Sequence, residues 1–520
     1  MRNSLLALAS KVALPGLFLL AGAGPGSVRD AAAQVPTPRD TRERQNPARG
    51  LDRQELGRRL ERLIEDPALA RAHVGLAVQV AETGEVLFTH AAERRFTAAS
   101  TAKLVTAAAA LRRLGPEYRW RTRLEAIGEI RDDTLFGDLW VVGGGDPRLT
   151  TGELAGWPAL LREAGILHVR GDLVGDDRAF SGPRWGRGWM WEDVYAGWGA
   201  GVSALQLSPG RVRGRLLPGP EVGSPARLRF LDPASPPPVV NRVRTGAPAS
   251  ELRLEFEPSL EDRTVYLTGW IPAGRDSVRL SLAPAHPTRH LLGRVRDALA
   301  DGGVEIGGEA RRARAEERPA GVTWSRELPS ETLAEIVGEF LKESDNQMGE
   351  TLLRTLGLEL GGAGSAEEGL RVLEETLAGW AIEPGAVSLA DGSGLSRYTV
   401  ATPAALVRLL RRAWQLPGFE ALRAALPVAA RDGTLARRLE ATAAEGNARA
   451  KTGSLSGVRA LAGYVRDSDG ETLIFALLVN GYDAPGEVAA ALEDLLVEQL
   501  SLYHGPDYAR RREAGPERRP

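Results

Sequence analysis

Short apolar segments joined by polar turns lie near both ends of the chain. Residues 74–80 alternate between apolar and small residues, and residues 86–88 resume this pattern after a short polar turn, while residues 458–465 and 472–479 form two apolar runs around the turn at 467–470. A period of two with a turn between the runs is typical of β-hairpins. The pattern therefore predicts one antiparallel hairpin near each end of the chain.

Segments whose apolar residues repeat with the period of a helix lie before and after a long middle region of the chain. Apolar residues recur every three to four positions in several segments, which predicts helices. These segments are residues 52–64, 101–114, 329–356, 366–378, 402–412 and 486–502. Between residues 121 and 320, short apolar runs are separated by Gly and Pro clusters, which is typical of strands and turns. We therefore expect a body of helices and strands interrupted by a β-rich insertion of two small modules.

Composition narrows the classes of protein. The 520 residues exceed one ordinary hydrophobic core, so two or three domains are expected. The near balance of 66 basic and 68 acidic residues argues against a nucleic-acid partner. The absence of cysteine excludes disulfides, iron–sulfur clusters and thiol nucleophiles. His286 and His290 form a close pair that lacks an obvious third ligand, so no metal or cofactor is expected.

The first fifty residues have the composition of a targeting segment followed by a leader. Residues 1–33 begin with basic residues, continue with an apolar run and end in small residues, which predicts a cleavable signal peptide. Residues 34–50 are expected to form a flexible leader, and residues 507–520 a disordered tail. We expect an exported protein of the periplasm or cell envelope. The apolar run is too short for a stable membrane span, and an uncleaved anchor is the alternative.

Lysine is rare in this chain, and its positions are informative. Only Lys11, Lys103, Lys342 and Lys451 are lysines among the 66 basic residues. Arginine keeps its proton in proteins, whereas a buried lysine can lose one and act as a base. A skewed codon supply would explain the scarcity but not the positions. Because Lys11 belongs to the predicted signal peptide, the other three lysines are the candidates for chemistry.

The first candidate pairs Lys103 with Ser100 at the start of the predicted helix 101–114. A spacing of three residues places both side chains on one helix face, where the amine could deprotonate the hydroxyl. Free backbone N–H groups at a helix start suit the stabilisation of an oxyanion. Taken alone, the pair is also compatible with a surface lysine one turn from a capping serine.

A second candidate is the sequence Lys451-Thr452-Gly453, which leads directly into the second predicted hairpin. A strand edge with these residues could present a cation, a hydroxyl and open backbone N–H groups to an extended ligand. The glycine would let a peptide lie close to the strand. An ordinary turn before a strand is the alternative interpretation.

A third candidate is Ser344-Asp345-Asn346, which follows Lys342. Here the serine could relay a proton and the asparagine could hold a substrate amide. Taken alone, such a sequence is more often a helix cap or a turn. Its position beside one of the few lysines favours a functional role.

Together, the three sequences resemble the Ser-x-x-Lys, Ser-Asp-Asn and Lys-Thr-Gly motifs of penicillin-binding proteins and serine β-lactamases, in the same chain order. Three coincidences are the alternative. More than two hundred residues separate Ser100 from Ser344, and the chain has no Leu-Asn dipeptide like that of the deacylating loop in class A β-lactamases. The chain therefore resembles the penicillin-binding-protein-4 type of D-alanyl-D-alanine carboxypeptidase/endopeptidase, of low-molecular-mass class C. In that family two extra domains separate the first two motifs.

Further segments carry the same resemblance, which covers about residues 50–505. They are residues 143–147, 171–177, 188–191, 391–397 and 432–435. The resemblance implies an α+β fold, namely the penicillin-binding, serine β-lactamase-like transpeptidase fold, in which an antiparallel sheet is flanked by helices. Residues 51–122 and 323–506 would form a discontinuous catalytic domain, and residues 123–322 a β-rich insertion of two small domains.

The resemblance also implies roles for the motif residues. Ser100 would be the acylated nucleophile, and Lys103 would be its general base. Ser344 would relay a proton to the leaving amine, and Asn346 would bind the amide on the acyl side of the substrate. These four residues are the predicted catalytic set.

Five further residues are expected to bind the substrate. Lys451 and Thr452 would hold its terminal carboxylate, and the backbone N–H of Ser454 would join that of the nucleophile in an oxyanion hole. Arg397 and Asp176 match an arginine and an aspartate that bind the charged end of the peptidoglycan side chain in relatives. A surface ion pair for Arg397 and a turn position for Asp176 are the alternatives.

The resemblance implies an exported serine D,D-peptidase that hydrolyses peptidoglycan stem peptides through an acyl-enzyme and is inhibited covalently by β-lactams. Removing a terminal D-Ala and cutting a D-Ala–diaminopimelate crosslink are the same chemistry on different leaving groups, so both activities stay open. A serine β-lactamase with fast deacylation is one alternative. A non-catalytic peptidoglycan-binding envelope protein is another, although such a scaffold has no need of Lys103.

Overall fold

The structure of the chain is a computed structural model that describes residues 51–505 with short gaps. The gaps are residues 232–237, 260, 262–263 and 318–319. The predicted signal peptide at 1–33, leader at 34–50 and tail at 507–520 lie outside the described residues. All described residues fall within one compact unit.

Helices and strands are both abundant in the described residues. The α-helices are α1 (Arg53–Ile64), α2 (Lys103–Leu114), α3 (Thr151–Leu154), α4 (Trp157–Glu163), α5 (Pro287–Asp301), α6 (Leu333–Glu343), α7 (Asn346–Leu356), α8 (Ala366–Gly379), α9 (Pro403–Gln415), α10 (Phe419–Ala425) and α11 (Gly486–Ser501). The strands are β1 (His73–Val80), β2 (Val86–His90), β3 (Phe96–Thr97), β4 (Arg121–Arg131), β5 (Thr134–Val142), β6 (His168–Val169), β7 (Leu173–Asp176), β8 (Val212–Leu217), β9 (Arg227–Phe230), β10 (Val239–Asn241), β11 (Arg244–Gly246), β12 (Arg253–Ser259), β13 (Thr264–Pro272), β14 (Val278–Leu282), β15 (Glu305–Ile306), β16 (Ala310–Arg312), β17 (Val322–Pro329), β18 (Val387–Ser388), β19 (Val400–Ala401), β20 (Arg449–Leu455), β21 (Val458–Arg466) and β22 (Thr472–Asn480). This mixed content confirms the predicted α+β class. None of the helices described has both the length and the apolar character needed to cross a membrane.

A five-stranded antiparallel sheet with the strand order β2-β1-β22-β21-β20 lies between two layers of helices. Both predicted hairpins are present, and β1 pairs with β22, which joins the two ends of the chain. Side chains that alternate along β22 enter two separate cores, as Ile474 and Phe475 do. Helices α2 and α6 to α9 pack in the first core, and helices α1 and α11 pack in the second. The antiparallel sheet flanked by helices is the predicted architecture.

Three other sheets are formed by the residues between α2 and α6. One has seven strands with β15-β6-β5-β4-β17 as its main path, and its core includes α4 and α5. A four-stranded sheet around β13 and the three-stranded sheet β14-β8-β9 share another, smaller core. Two separate cores support the proposal that this region is an insertion of two small domains. Because β17 pairs with β4 along its length, we propose that the catalytic domain resumes near residue 330 rather than at 323.

The structure interrupts one predicted helical stretch. The apolar pattern over residues 329–356 predicts helix, with a change from helix to loop near Lys342, and the structure has two separate helices, α6 and α7, with Ser344 and Asp345 between them. Ser344 has a φ of 58°, which ends α6. Asp345 then caps α7 by accepting a hydrogen bond from the Met348 N–H at 2.8 Å. The pattern looks continuous because both helices bury their apolar faces in the same core.

Candidate active site

Ser100 lies in a tight turn that leads into α2. Residues Ala99–Ala102 form a short 3₁₀ helix, and α2 follows it directly. Ala99 has a φ of 46°, a left-handed conformation that is uncommon outside glycine and implies local strain. Gly394 packs against this turn, since a Cβ atom added there would lie 2.0 Å from the Ala99 carbonyl oxygen. The position of Ser100 is therefore fixed by close backbone packing.

Lys103 is fully buried and donates three hydrogen bonds through its amine. The acceptors are Ser100 Oγ at 3.0 Å, Asn346 Oδ1 at 2.7 Å and the Ser393 carbonyl oxygen at 2.6 Å. Burial lowers the pKa of Lys103 to about 8, although three nearby carboxylates oppose this change. A lysine with such a pKa is partly neutral near neutral pH, as a general base for the serine must be.

Asn346 is the first residue of α7 and connects Lys103 to the β-rich region. Its amide oxygen accepts from Lys103, and its amide nitrogen donates to the Trp198 carbonyl oxygen at 3.0 Å. The neighbouring Gln347 donates to the Gly201 carbonyl oxygen at 2.9 Å. The segment that contains these two carbonyl groups therefore lies against the start of α7 and holds both amide side chains.

Ser344 lies at the corner between α6 and α7 and is half-buried. In the part of the chain that the structure describes, its hydroxyl makes no hydrogen bond to protein. The structure thus joins Ser100, Lys103 and Asn346 directly, whereas Ser344 lies two residues before Asn346 with a hydroxyl open to a substrate. Its relay role stays a prediction.

The Lys-Thr-Gly sequence lies in β20, at an edge of the central sheet. The Ala450 N–H donates to the Pro427 carbonyl oxygen on the outer side of this strand. Backbone N–H groups alternate between the two sides of a strand, so that of Ser454 also points outward. A Cβ atom added at Gly453 would lie 3.1 Å from the Ser100 nitrogen. The strand therefore lies directly beside the turn that carries Ser100.

Lys451 is fully buried on the same strand. Its amine donates to the Thr452 carbonyl oxygen at 2.9 Å. Burial and the charge of Lys103 lower the pKa of Lys451 well below its usual value. An anion that binds beside Lys451 would favour its charged form, so this strand suits a ligand with a carboxylate.

Thr434 is a functional candidate that sequence reasoning missed. Its hydroxyl hydrogen-bonds that of Thr452 at 2.8 Å. Lys342 forms an ion pair with Asp432 in the same loop, and Asp432 also accepts from the Val428 N–H at 2.9 Å. The third lysine therefore anchors the loop that carries Thr434. The segment 432–435, which carries the family resemblance, was the signal that could have identified this residue.

Asp391 supports the loop at residues 391–397 and was also missed. It is fully buried and accepts hydrogen bonds from donors of its own segment, among them Ser393 Oγ at 2.9 Å and Thr399 Oγ1 at 2.6 Å. It also accepts from Trp189 Nε1, which belongs to the β-rich region, at 3.0 Å. A buried carboxylate with this many donors holds the loop in one conformation.

Glu350 supports the same loop from α7. It is fully buried and accepts from the N–H groups of Gly392 and Ser393 at 2.8 and 3.1 Å. Burial raises the pKa of Glu350 to about 7. Because the Ser393 carbonyl accepts from Lys103, Glu350 helps to position the lysine. Its spacing of four residues from Asn346, on one helix face, was the available sequence signal.

The structure does not bring Arg397 and Asp176 together. Arg397 donates to the Ser456 carbonyl oxygen at 2.9 Å, in the turn between β20 and β21. Asp176 forms an ion pair with Arg178 at 2.6 Å within the β-rich region, and its substrate role stays a prediction. The carboxylate that interacts with Arg397 is that of Asp193, whose pKa is raised by burial and held down in part by Arg397.

The arrangement has the parts needed for nucleophilic catalysis. A serine hydroxyl lies at hydrogen-bond distance from an amine of lowered pKa, and backbone N–H groups beside it can stabilise an oxyanion. A buried lysine and two threonine hydroxyls on and beside β20 can receive a carboxylate.

Known proteins share both the sequence and the fold. Residues 56–500 match the family model described as the D-Ala-D-Ala carboxypeptidase 3 (S13) family. A D-alanyl-D-alanine carboxypeptidase of Actinomadura sp. (strain R39) is 34% identical over 475 residues, which cover 88% of this chain and 86% of the relative. The D-alanyl-D-alanine carboxypeptidase DacB of Haemophilus influenzae is 27% identical over 416 residues, which cover 79% of this chain and 86% of the relative.

A solved structure extends this similarity to three dimensions. The crystal structure of penicillin-binding protein 4 (dacB) from Haemophilus influenzae matches with a TM-score of 0.75 and 25% identity, covering 84% of this chain and 97% of that chain. The resemblance to penicillin-binding proteins of the type-4 class and the predicted fold are thereby confirmed. By sequence and by structure, the chain belongs to the D-Ala-D-Ala carboxypeptidase 3 (S13) family.

Proposed function

We propose that the chain is a serine D,D-peptidase that removes the terminal D-Ala from peptidoglycan stem peptides. The observation that carries this proposal is the buried Lys103 amine, which lies 3.0 Å from Ser100 Oγ and has a pKa lowered to about 8. The family and the relatives named as D-alanyl-D-alanine carboxypeptidases support the same substrate class.

In the acylation step, Ser100 Oγ attacks the carbonyl carbon of the penultimate D-Ala and its proton passes to the Lys103 amine. The backbone N–H groups of Ser100 and Ser454 stabilise the oxyanion that forms. The C–N bond then breaks, and the leaving amine takes the proton through Ser344. Asn346 holds the acyl-side amide during this step, and it is itself held by the Trp198 carbonyl. Water then hydrolyses the ester and restores the serine.

The specificity for a terminal carboxylate would come from β20 and the loop beside it. Lys451 is buried without an acidic partner in its hydrogen bonds, so a substrate carboxylate would supply the missing negative charge. The Thr452 hydroxyl donates to the Thr434 hydroxyl, which leaves the Thr434 proton free to be donated to the same group. Arg397, whose charge acts on Asp193, and Asp176 are the candidates for binding the charged side chain of the stem peptide.

The same active site would cleave a D-Ala–diaminopimelate crosslink, because only the leaving amine differs. β-Lactams would acylate Ser100 as covalent inhibitors. Because peptidoglycan lies outside the cytoplasm, this substrate requires export to the periplasm or envelope. The composition of residues 1–33 supports such export.

The proposal is tested by labelling the purified protein with a fluorescent penicillin beside a Ser100→Ala variant. We expect a long-lived covalent adduct with the wild type and none with the variant. In parallel, a peptide ending in D-Ala-D-Ala should lose one D-Ala by mass spectrometry, and a crosslinked dimer reports endopeptidase activity. Equal labelling of both proteins would contradict the assignment of the nucleophile. Rapid release of hydrolysed penicillin would instead indicate a β-lactamase.

A further inference from the structure

A separate cavity of about 640 Å³ lies beside the start of β20 and the turn between β21 and β22. None of the predicted catalytic and substrate-binding residues lines it. Four arginines do, namely Arg423, Arg431, Arg449 and Arg466. Trp414 and Tyr464 form an aromatic wall, with ring centroids 5.8 Å apart. The cavity therefore combines concentrated positive charge with an apolar surface.

The four guanidinium groups lack a direct acidic partner in the part of the chain that the structure describes. Within the residues described, none of them donates a hydrogen bond or forms an ion pair. Burial and the charges of Arg423, Arg431 and Arg466 lower the pKa of Arg449, and only Asp432 opposes this change. Elsewhere in the same domain, buried arginines are paired, as Arg438 is with Asp494 at 2.7 Å. Repulsion between these arginines would be relieved by a bound anion.

Three carboxylates also line the cavity, and in the residues described none of them forms an ion pair with the four arginines. Glu445 accepts from the Ala441 N–H at 2.7 Å. Asp469 accepts from the Gly505 N–H at 2.9 Å, and Asp467 accepts from the Asp469 N–H at 2.9 Å. These contacts hold at least one oxygen of each acid on the backbone. Asp467 Oδ2 is buried without a hydrogen-bond partner among the described residues, and burial raises the pKa of Asp467 to about 6, which weakens its negative charge.

The backbone makes room for one of the arginines. Gly446 has a φ of 65°, and a Cβ atom added there would lie 2.5 Å from Arg431 Nη2. The guanidinium of Arg431 therefore packs against a position that only glycine can occupy without displacing it. Gly446 therefore leaves room at the cavity for the guanidinium of Arg431, which is an exposed residue.

We propose that this cavity binds a phosphate group, free or carried by an ester, between the four guanidinium groups. Guanidinium donors match phosphate oxygens in geometry and charge. Donors that approach from several chain segments favour a tetrahedral anion with more than two acceptor oxygens over a carboxylate. The aromatic wall of Trp414 and Tyr464 would contact the carbon part of an ester.

The test is calorimetric titration of the full chain with inorganic phosphate, α-glucose 1-phosphate and acetate at constant ionic strength. We expect both phosphates to bind with unit stoichiometry and acetate to show no binding. Tighter binding of glucose 1-phosphate would assign the site to an ester, and equal binding would assign it to free phosphate. Acetate binding as tight as that of phosphate, or no binding of either phosphate, would overturn the proposal.

Variants locate the site. Arg449→Gln and Arg431→Gln should each weaken phosphate binding about tenfold, the effect of losing a charge-assisted hydrogen bond. Arg437→Gln is the matched control, since Arg437 is exposed and does not line the cavity. Equal weakening by this control would reject a specific site. Phosphate binding should persist after acylation by penicillin, which excludes binding at Lys451. Penicillin labelling, which tests the proposed peptidase function, should be unchanged in all three variants.

Discussion

Burial gives the Lys103 side chain the ability to act as a base, which its charged form does not have. The amine is fully buried and has three oxygen acceptors but no carboxylate in direct contact. Desolvation disfavours the charged form more than the surrounding carboxylates favour it, so the pKa falls to about 8. An arginine in this position would stay protonated. The need for a base that can lose its proton therefore explains why a lysine is retained at this position in a chain with few lysines.

The acylation of Ser100 by a penicillin is expected to slow as the pH falls. Below the Lys103 pKa of about 8, the amine is increasingly protonated and cannot accept the serine proton. The second-order rate constant should therefore fall about tenfold for each pH unit in this range and level off at higher pH. Stopped-flow acylation with a fluorescent penicillin from about pH 6 to about pH 9.5 measures this profile.

Two variants attribute that profile to Lys103. Lys103→Arg should abolish acylation at every pH, because arginine cannot serve as the base. Asp345→Asn keeps an oxygen that caps α7 but removes a charge that raises the Lys103 pKa, so the acidic limb should move to lower pH. Acylation by the arginine variant, or a profile that is flat across pH 8, would contradict the role of the lysine as base.

At the scale of residues, the sequence predicts those functional groups that lie close together in a motif. Ser100 and Lys103 are three residues apart, so their contact follows from helix geometry. Asp391 and Trp189 are about two hundred residues apart, and their hydrogen bond depends on packing that no local pattern encodes. The motif position of Asp176 predicts a substrate role that stays a prediction, whereas the effect of the Arg397 charge on Asp193 arises from tertiary packing.

At the scale of elements, the edge position of β20 decides what this strand can bind. Its inner side pairs with β21, and among the described residues its outer side pairs with the backbone at Pro427, near the start of the strand. Beyond that point, the outward N–H groups are free to pair with an extended peptide. The sequence predicts a strand edge here because Lys451-Thr452-Gly453 leads directly into the second hairpin. The sequence does not predict which side of β20 pairs with a neighbouring strand, because that depends on segments from other parts of the chain.

Gly453→Ala is expected to slow acylation by about tenfold to hundredfold while the protein stays folded. The added Cβ atom would lie 3.0 Å from Ala99 Cβ and 3.1 Å from the Ser100 nitrogen, so β20 and the serine turn must separate slightly. The two oxyanion donors would then fit the tetrahedral intermediate less well, and losing one such donor outright costs ~10²–10³ in rate. Acylation kinetics, with circular dichroism to verify folding, measure the effect.

Gly338→Ala is the matched control for that substitution. It makes the same chemical change inside α6, where an added Cβ atom would meet nothing within 4 Å. Alanine favours a helix over glycine, so stability should rise by about 0.5–1 kcal/mol with acylation unchanged. If Gly453→Ala acylated as fast as Gly338→Ala, the close approach of β20 to Ser100 would have no role in catalysis.

At the scale of the whole molecule, the β-rich region is part of the active-site support. Its carbonyl groups at Trp198 and Gly201 receive the amide side chains at the start of α7. Its Trp189 donates to the buried Asp391 of the loop whose Ser393 carbonyl receives Lys103. The order of motifs along the chain predicts that such a region exists. These contacts could not be predicted from it, since they join surfaces that fold from distant segments.

Because the β-rich region supports the active site, we expect substitutions of Trp189 and Trp191 to differ in their effects on stability and acylation. Trp189→Phe removes the N–H that donates to the buried Asp391 and should lower the free energy of unfolding by about 1–3 kcal/mol. Acylation should also slow, since the loop that orients Lys103 loses a contact. Trp191→Phe makes the same change at a side chain that is 50% exposed, so both quantities should stay nearly constant. Urea denaturation and penicillin acylation measure both, and equal destabilisation by the two variants would show that ring size, not the hydrogen bond, matters at Trp189.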